Sequence, residues 1–453
     1  MFQKYFSVFL VIFTALVGLY GFQTIPGFWF DEGIMAQAAK NIARYGVYGI
    51  QTAPGVFYTN NFWITTGYPV VFPTALFLKI FGISVWAARF TPFIYLILFA
   101  VVSYFLIKKL YGFKAAVLAG LLLVTFSPFY GNGKALLGEI PGLFWFVLGA
   151  LFYLIYEEKN KPAYFYVSGL VLGLSVATKP YFILIVPGVA LLTLFLWFRR
   201  CVDFRRFLGF WGVFSIPILI WVFFAFDFSS LPNFGATVSY FLNSYSAQTF
   251  DVFGNLFKFV SESTPIHFTV LALAVFVSFF ILLKNKKEIP PITFVFLTFI
   301  ILAFLWYLKT PGWYRYFFPA HIIVLLFFPA SLRSLLNQFI ASAAVILLII
   351  FQAVFLFLNY GSLYGDEAML LQKYAKENIT ESSSVLVDSL PEVGFVLDND
   401  NFYQRIFISE KFEFGTSPAD FTADYLVVGR SGEAGSGYVL DHEIGHYKLY
   451  RRK

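Results

Sequence analysis

A chain of 453 residues that is 59% hydrophobic and only 13% charged is not a soluble globular protein built around one buried core. Its net charge of +7 and pI near 9.1 do not argue for nucleic-acid binding, because the charge is split along the chain. Residues 1–360 hold 23 Lys and Arg against 10 Asp and Glu, whereas residues 361–453 hold 9 against 15. The single Cys201 excludes an intrachain disulfide and offers no thiol metal site.

A membrane span takes about 20 mostly apolar residues. Eleven runs qualify in chain order: 5–25, 84–107, 115–131, 140–156, 163–178, 180–198, 207–226, 266–283, 292–308, 316–332 and 338–359. They are continuously apolar rather than alternating, which implies helices and not a barrel. The first run is too long for a signal-peptide core and no small-residue cleavage site follows it, so it reads as a retained anchor. The predicted fold class is an α-helical polytopic membrane protein, residues 1–360, with a small soluble α/β domain over residues 361–453.

Loop charges orient the bundle. With a cytoplasmic N-terminus, the inside loops carry Lys108, Lys109 and Lys114; Lys159 and Lys161; Arg199, Arg200, Arg205 and Arg206; Lys284, Lys286 and Lys287; and Arg333. The opposite loops are longer and carry fewer cations, and an odd number of spans places the C-terminal domain outside.

Three outside segments interrupt the apolar pattern. In 26–68, Ile34, Ala38, Ile42 and Tyr45 recur at helical spacing opposite Gln37, Lys40, Asn41 and Arg44, which predicts a short helix lying in the interface plane. Residues 69–82 are apolar but too short to span, so they read as re-entrant or interfacial. The loop 227–265, with Asp227, Asn243, Tyr245, Asp251 and Glu262, is amphipathic and could close over a site. In the tail, Gly365 to Asn378 reads as a helix, and 384–388, 394–397, 405–408 and 424–428 read as strands. No pair of broken helices or half-to-half similarity of the kind common in transporters is visible.

Ionisable groups at membrane depth are costly and therefore informative. Asp31 and Glu32 follow the first span, where a carboxylate at the lipid rim can take a proton from an acceptor hydroxyl; the bland alternative for Asp31 is a helix N-cap. Glu139 opens the fourth span on the same side, where helix-dipole complementarity alone would also place it. Lys134, Lys179 and Arg315 are outward cations, Arg315 within the aromatic turn Trp313-Tyr314-Arg315-Tyr316. Lipid snorkelling is the plain reading; a clamp for the phosphate or pyrophosphate of a lipid-linked donor, with Tyr314 beside it, is the functional one. His442-Glu443-Ile444-Gly445-His446 spells a zinc-protease motif, but Gly445 weakens a helix, and the alternation from His446 to Leu449 predicts a terminal strand instead.

The acidic pair after span one, the interfacial helix, the Pro-flanked stretch into span two, Gly133-x-x-x-x-Gly138-Glu139 at the start of span four and the Ala177-Thr178-Lys179-Pro180 hairpin together resemble the GT-C glycosyltransferases. The similarity is to the polyprenyl-phosphate-sugar-dependent types, the protein O-mannosyltransferases and the bacterial lipid A aminoarabinose transferases. It implies inverting transfer from a polyprenyl-phosphate-linked sugar to a lipid, glycan or protein acceptor, on the outer face of the cytoplasmic membrane. The resemblance implies Asp31 as base or acceptor-orienting group and Lys179 and Arg315 at the donor phosphate; the reading of the residues adds Glu32 and Glu139 as catalytic candidates and Lys134 and Tyr314 as donor-phosphate ligands. Aminoarabinose transferases carry an acidic-basic-Pro sequence where this chain has Gly67-Tyr68-Pro69, which leaves a divalent metal ion open as cofactor and argues against lipid A as acceptor. The competing readings are an oligosaccharide ligase or polymerase using a pyrophosphate carrier and a lipid or sugar transporter.

Overall fold

The computed structural model describes residues 2–59, 64–226, 251–397, 401–409, 412–415, 421–430, 432 and 434–453. All eleven apolar runs fall on helices. The chain opens with α1 (Phe2–Leu19), then α2 (Phe30–Tyr45), the hairpin β1 (Ile50–Ala53) and β2 (Val56–Tyr58), and α3 (Tyr68–Phe81). Next come α4 (Val85–Tyr111), α5 (Phe113–Thr125), α6 (Ser127–Gly133), α7 (Glu139–Lys159), α8 (Pro162–Thr178), α9 (Val186–Phe198) and α10 (Phe204–Ala225). After the loop follow α11 (Val252–Ser261), α12 (Ser263–Lys284), α13 (Ile292–Leu308), α14 (Phe318–Leu335) and α15 (Gln338–Asn359). Among the described residues seven helices are long and apolar enough to cross a membrane, and α5 with α6, bent by 64°, makes an eighth. The remaining three predicted spans, α1, α8 and α13, are apolar but shorter.

Small residues let the helices approach. A Cβ at Gly173 of α8 would collide with the backbone of Phe214 in α10. Ser168 and Ser175 of α8 each donate to a carbonyl of α7, Gly149 O and Gly142 O, both at 2.8 Å. Without a hydrophobic force between helices in lipid, such close packing and interhelical hydrogen bonds carry the association. Leu219 and Phe223 of α10 and Leu347 and Phe351 of α15 face outward, as lipid-facing side chains do.

The tail forms α16 (Glu367–Asn378), β3 (Val385–Asp388), α17 (Pro391–Val396), β4 (Phe402–Ser409), β5 (Phe412–Gly415), β6 (Tyr425–Val428), β7 (Tyr438–Ile444) and β8 (Tyr447–Arg452). The sheet order is β5-β4-β3-β6-β8-β7, with β3 parallel to β4 and β6 and the other pairs antiparallel. The predicted strand at 394–397 is instead the end of α17. Pro391 starts that helix, and a short, wholly buried apolar run does not distinguish strand from helix by periodicity. The zinc-protease spelling dissolves into the β7–β8 hairpin, with Ile444 opposite Tyr447 and Gly445 at φ +59° in the turn.

On the polar side of α2, predicted to lie in the interface plane, Gln37, Lys40 and Asn41 are buried and only Arg44 is exposed. Gln37 donates to Pro391 O at 2.6 Å, and its amide pairs with that of Gln404 in β4. Lys40 donates to Gly394 O and Leu397 O, at 3.2 and 2.7 Å, covering carbonyls at the end of α17. Gly33 allows the contact: a Cβ there would overlap the Glu392 backbone and lie 2.7 Å from the Pro391 carbonyl carbon. The C-terminal domain therefore sits on the helix that carries the acidic pair, and its apolar core is continuous with that of the bundle. Of the predicted lid 227–265, residues 227–250 lie outside the described residues, and most of 251–265 is helical, in α11 and the start of α12.

This contact contains a pH-sensitive group. Glu392 is 3% exposed, its Oε2 has no hydrogen-bond partner among the described residues, and Tyr447 donates to Oε1 at 3.3 Å. Burial pushes its carboxyl up to about 7, against the opposing pull of its hydrogen bonds. A raised folded-state pKa means that the folded form holds the proton more tightly. Docking is thus strongest below the ordinary carboxylate pKa of 4.5 and weakens as pH rises through about 7. Glu392→Gln is expected to stabilise the protein at pH 8, by on the order of 3 kcal/mol, and to change little at pH 4.5. Melting curves of both proteins across this range provide the check, and a constant gap between them would refute the assignment.

Candidate active site

The first turn of α2 is set by Trp29, which holds the N-cap position in extended conformation without a side-chain cap. Asp31 and Glu32 follow in that first turn, where carboxylates complement the helix dipole; Asp31 is not the cap. Successive helical residues diverge by about 100°, and the two acids accordingly meet different surroundings.

Asp31 forms an ion pair with Arg315, which lies in the 3₁₀ turn Tyr314–Tyr316 ahead of α14. Three aromatic faces surround the guanidinium: Trp29, Trp313 and Tyr316, with centroids 5.3, 4.8 and 5.0 Å from its carbon. Arg315 also donates to Tyr316 Oη at 3.0 Å. The Asp31 and Arg315 side chains remain 26% and 14% exposed, so a ligand can reach the pair.

Glu32 cannot be reached. Its side chain and that of Arg89 are both 0% exposed, and Arg89 grips both carboxylate oxygens at 2.7 and 2.6 Å. Oε1 also accepts from Leu136 N at 3.1 Å. Arg89 further donates to Phe22 O and Gly27 O, so the pair ties α4, the chain before α2 and the loop before α7 into one knot. The predicted catalytic Glu32 is thus buried and held by Arg89 and Leu136 N, out of a substrate's reach.

Glu139 pairs with Lys179, at the start of α7 and just beyond α8. Both are buried, and Glu139 Oε2 has no partner among the described residues. A Cβ at Gly138 would lie 3.0 Å from both Lys179 Cβ and Thr178 O, so the glycine before Glu139 permits the pairing. The departure at Gly67-Tyr68-Pro69 has a steric reason too. Gly67 N donates to Thr178 O at 2.8 Å, and a Cβ there would overlap Ala177 O; no carboxylate side chain fits at that position.

Lys134, predicted beside the donor phosphate, points elsewhere. It is fully buried, donates to Tyr20 O at 3.0 Å, and sits 4.9 Å from the Tyr360 ring centroid. Burial, reinforced by the nearby Arg89 charge and opposed by Glu32, lowers its ammonium to about 7. It holds the Tyr20 carbonyl just beyond α1. Tyr314 turns inward, its hydroxyl 2.9 Å from His321 Nδ1.

Sequence reasoning missed Arg89, although a cation inside the second predicted span demands a buried partner. It also missed His267 and His321, two of the four histidines of the chain, each within an apolar helix. Among the described residues no three His, Cys, Asp or Glu side chains converge to hold a metal. Of the acids at this site, Glu32 and Glu139 are each paired with a cation, Arg89 and Lys179.

The family model described as dolichyl-phosphate-mannose-protein mannosyltransferase matches residues 69–224, which include Glu139 and Lys179. No curated protein matches the chain by sequence. ArnT from Cupriavidus metallidurans bound to undecaprenyl phosphate superposes with a TM-score of 0.68 at 13% identity, covering 98% of this chain and 97% of that one. The chain has the GT-C glycosyltransferase fold. Two structures of the Archaeoglobus fulgidus oligosaccharyltransferase share that fold. The one in complex with Zn and sulfate has a TM-score of 0.59 at 15% identity, over 87% of this chain and 62% of that one. The other, AglB with an inhibitory peptide and a dolichol-phosphate, has 0.53 at 14%, over 85% and 62%. Within this fold the acids of the site make three ion pairs: the part-exposed Asp31–Arg315 pair and the buried Glu32–Arg89 and Glu139–Lys179 pairs, with Leu136 N of the loop 134–138 donating to Glu32.

Proposed function

We propose that this protein is an integral membrane glycosyltransferase. It moves a sugar from a polyprenyl-phosphate donor to a hydroxyl of a lipid, glycan or protein acceptor, with inversion, on the outer face of the cytoplasmic membrane. The observation that carries this reading is the reachable Asp31–Arg315 pair: a base and a phosphate-binding cation in contact at the membrane-rim end of the bundle. The undecaprenyl phosphate of the C. metallidurans structure and the dolichol-phosphate of the A. fulgidus one support the donor class. The concentration of Lys and Arg in the opposite loops supports the sidedness.

The chemistry follows from charge. A donor phosphate competes with Asp31 for the Arg315 guanidinium, which can receive it bidentately. Its arrival frees the Asp31 carboxylate. The acceptor oxygen then attacks the anomeric carbon from the face opposite the leaving group, and its proton passes to Asp31. The bond from that carbon to the phosphate oxygen breaks with its electron pair on oxygen, so polyprenyl phosphate leaves with one more negative charge than it had as the sugar ester. Arg315 meets that growing charge, and stabilisation that grows toward the transition state accelerates the reaction. A phosphate leaving group needs no general acid. Lys179 offers a second cation, at present held by Glu139.

The test is turnover by the purified protein in lipid nanodiscs, using polyprenyl-phosphate sugars and, separately, a polyprenyl-pyrophosphate oligosaccharide. Release of polyprenyl phosphate with an inverted anomeric linkage in the product is the expected result. Release of pyrophosphate carrier alone would replace this reading with an oligosaccharide ligase, and movement of lipid without bond cleavage would replace it with a transporter.

A further inference from the structure

Behind Arg315, four helices meet around a chain of buried and part-buried polar groups that nothing in the reaction above uses. Tyr314 Oη lies 2.9 Å from His321 Nδ1, in the first turn of α14. His321 Nε2 lies 2.8 Å from His267 Nδ1, in α12. His267 Nε2 lies 3.3 Å from Gln352 Nε2, in α15, and the hydroxyl of Thr125, the last residue of α5, lies 3.1 Å from Gln352 Oε1 and 2.8 Å from Leu121 O. His321 is wholly buried and Gln352 nearly so. Phe126 lies against both imidazoles and Phe268 against His321. Polar groups in such surroundings are costly unless every one is satisfied.

The donor and acceptor inventory gives the chain a direction. With the Gln352 amide nitrogen turned toward His267, that nitrogen can only donate, and His267 Nε2 then carries a lone pair. The His267 hydrogen is then on Nδ1 and is donated to His321 Nε2. His321 in turn carries its hydrogen on Nδ1 and donates it to Tyr314 Oη. One orientation of one amide thereby fixes two tautomers and anchors the hydroxyl of the residue before Arg315.

We infer that Gln352, His267 and His321 are positioning residues that act through Tyr314, pinning the turn so that the Arg315 guanidinium is held among Trp29, Trp313 and Tyr316, ready for the donor phosphate. This inference rests on the proposed function for its ligand but not for its geometry. Three separate helices set the place of one short turn, which a turn of this length cannot do by its own hydrogen bonds.

Two measurements test it. Imidazole ¹⁵N spectra of the full chain in detergent report tautomers directly, and both His267 and His321 are expected as neutral Nδ1–H forms; Nε2–H forms would overturn the wire as drawn. In parallel, polyprenyl phosphate without a sugar serves as the binding probe. Tyr314→Phe, which removes only the anchored hydroxyl, is expected to weaken it about tenfold, the size of one hydrogen bond. In turnover the loss should appear in the donor KM, with kcat within about twofold. His321→Asn should cost a similar amount in the natural background and nothing further in Tyr314→Phe, because both act through one bond. Additive losses, or unchanged binding by Tyr314→Phe, would reject the positioning role. Failure of the unaltered protein to bind polyprenyl phosphate would instead overturn the donor reading. The positioning role is then read from the Arg315 side-chain ¹⁵N resonance, whose movement in Tyr314→Phe upholds it and whose constancy refutes it.

Discussion

Asp31→Asn is expected to slow sugar transfer by about 10²- to 10⁴-fold, the usual range for losing a positioned general base. The amide keeps the shape of the carboxylate and can still accept a hydrogen bond from Arg315, but it cannot take the acceptor's proton. Because the variant also loses the charge that competes for Arg315, donor binding should hold steady or tighten while kcat falls. That split distinguishes a lost base from a disrupted site, which would raise the donor KM as well. Single-turnover measurements with a radiolabelled donor are the direct check. Turnover within about threefold of the unaltered protein, with folding intact, would remove Asp31 from the mechanism.

The second large effect belongs to Glu32 and Arg89. Their ion pair is fully buried, and removing one partner leaves the other charge without compensation. Arg89→Met is therefore expected to destabilise the protein by about 3–5 kcal/mol. It also releases Phe22 O and Gly27 O, so the start of α2 loosens and transfer declines with stability. Glu32→Gln/Arg89→Met should recover much of the loss, since no lone charge remains and the amide oxygen still accepts from Leu136 N. Thermal unfolding of the four proteins of this cycle reads the coupling. Equal stability of the single Arg89→Met variant and the unaltered protein would show that the pair contributes nothing.

The two neighbouring acids thus meet different surroundings, Asp31 part-exposed beside Arg315 and Glu32 buried against Arg89. A run of sequence reading Asp-Glu shows two carboxylates at a lipid rim, but not which of them meets water. The helical rotation between consecutive residues turns Asp31 toward the Tyr314–Tyr316 turn and Glu32 toward α4. Lys134 shows the same limit from the cationic side: an outward lysine in the sequence proves to be inside, bound to the Tyr20 carbonyl just beyond α1. Its signal is the same as that of Lys179, and only packing separates them. The α2 helix was legible from its 3.6-residue spacing. The burial of its polar side was not, because the covering surface comes from residues more than 350 positions away in the chain.

Much was written plainly in local pattern. The spans follow from continuous apolar runs, because lipid forces every backbone group to be satisfied within its own helix. The β3, β4, β6 and β8 strands follow from short apolar or alternating stretches, and the zinc-protease spelling was discounted on Gly445 and on the alternation from His446 to Leu449, in line with the hairpin now seen. Where local pattern failed, at 394–397, a buried helix of one and a half turns had the composition of a strand.

By itself, then, the sequence determined a polytopic helical bundle with a small α/β domain and a set of ionisable groups concentrated on one side. These are consequences of periodicity and of the cost of charge in lipid, both local properties. Tertiary structure alone decided the pairings: Asp31 with Arg315, Glu32 with Arg89, Glu139 with Lys179, and the histidine wire behind Tyr314. A charge in a low-dielectric setting takes whichever partner the fold brings within reach, and that reach is set by how distant helices pack.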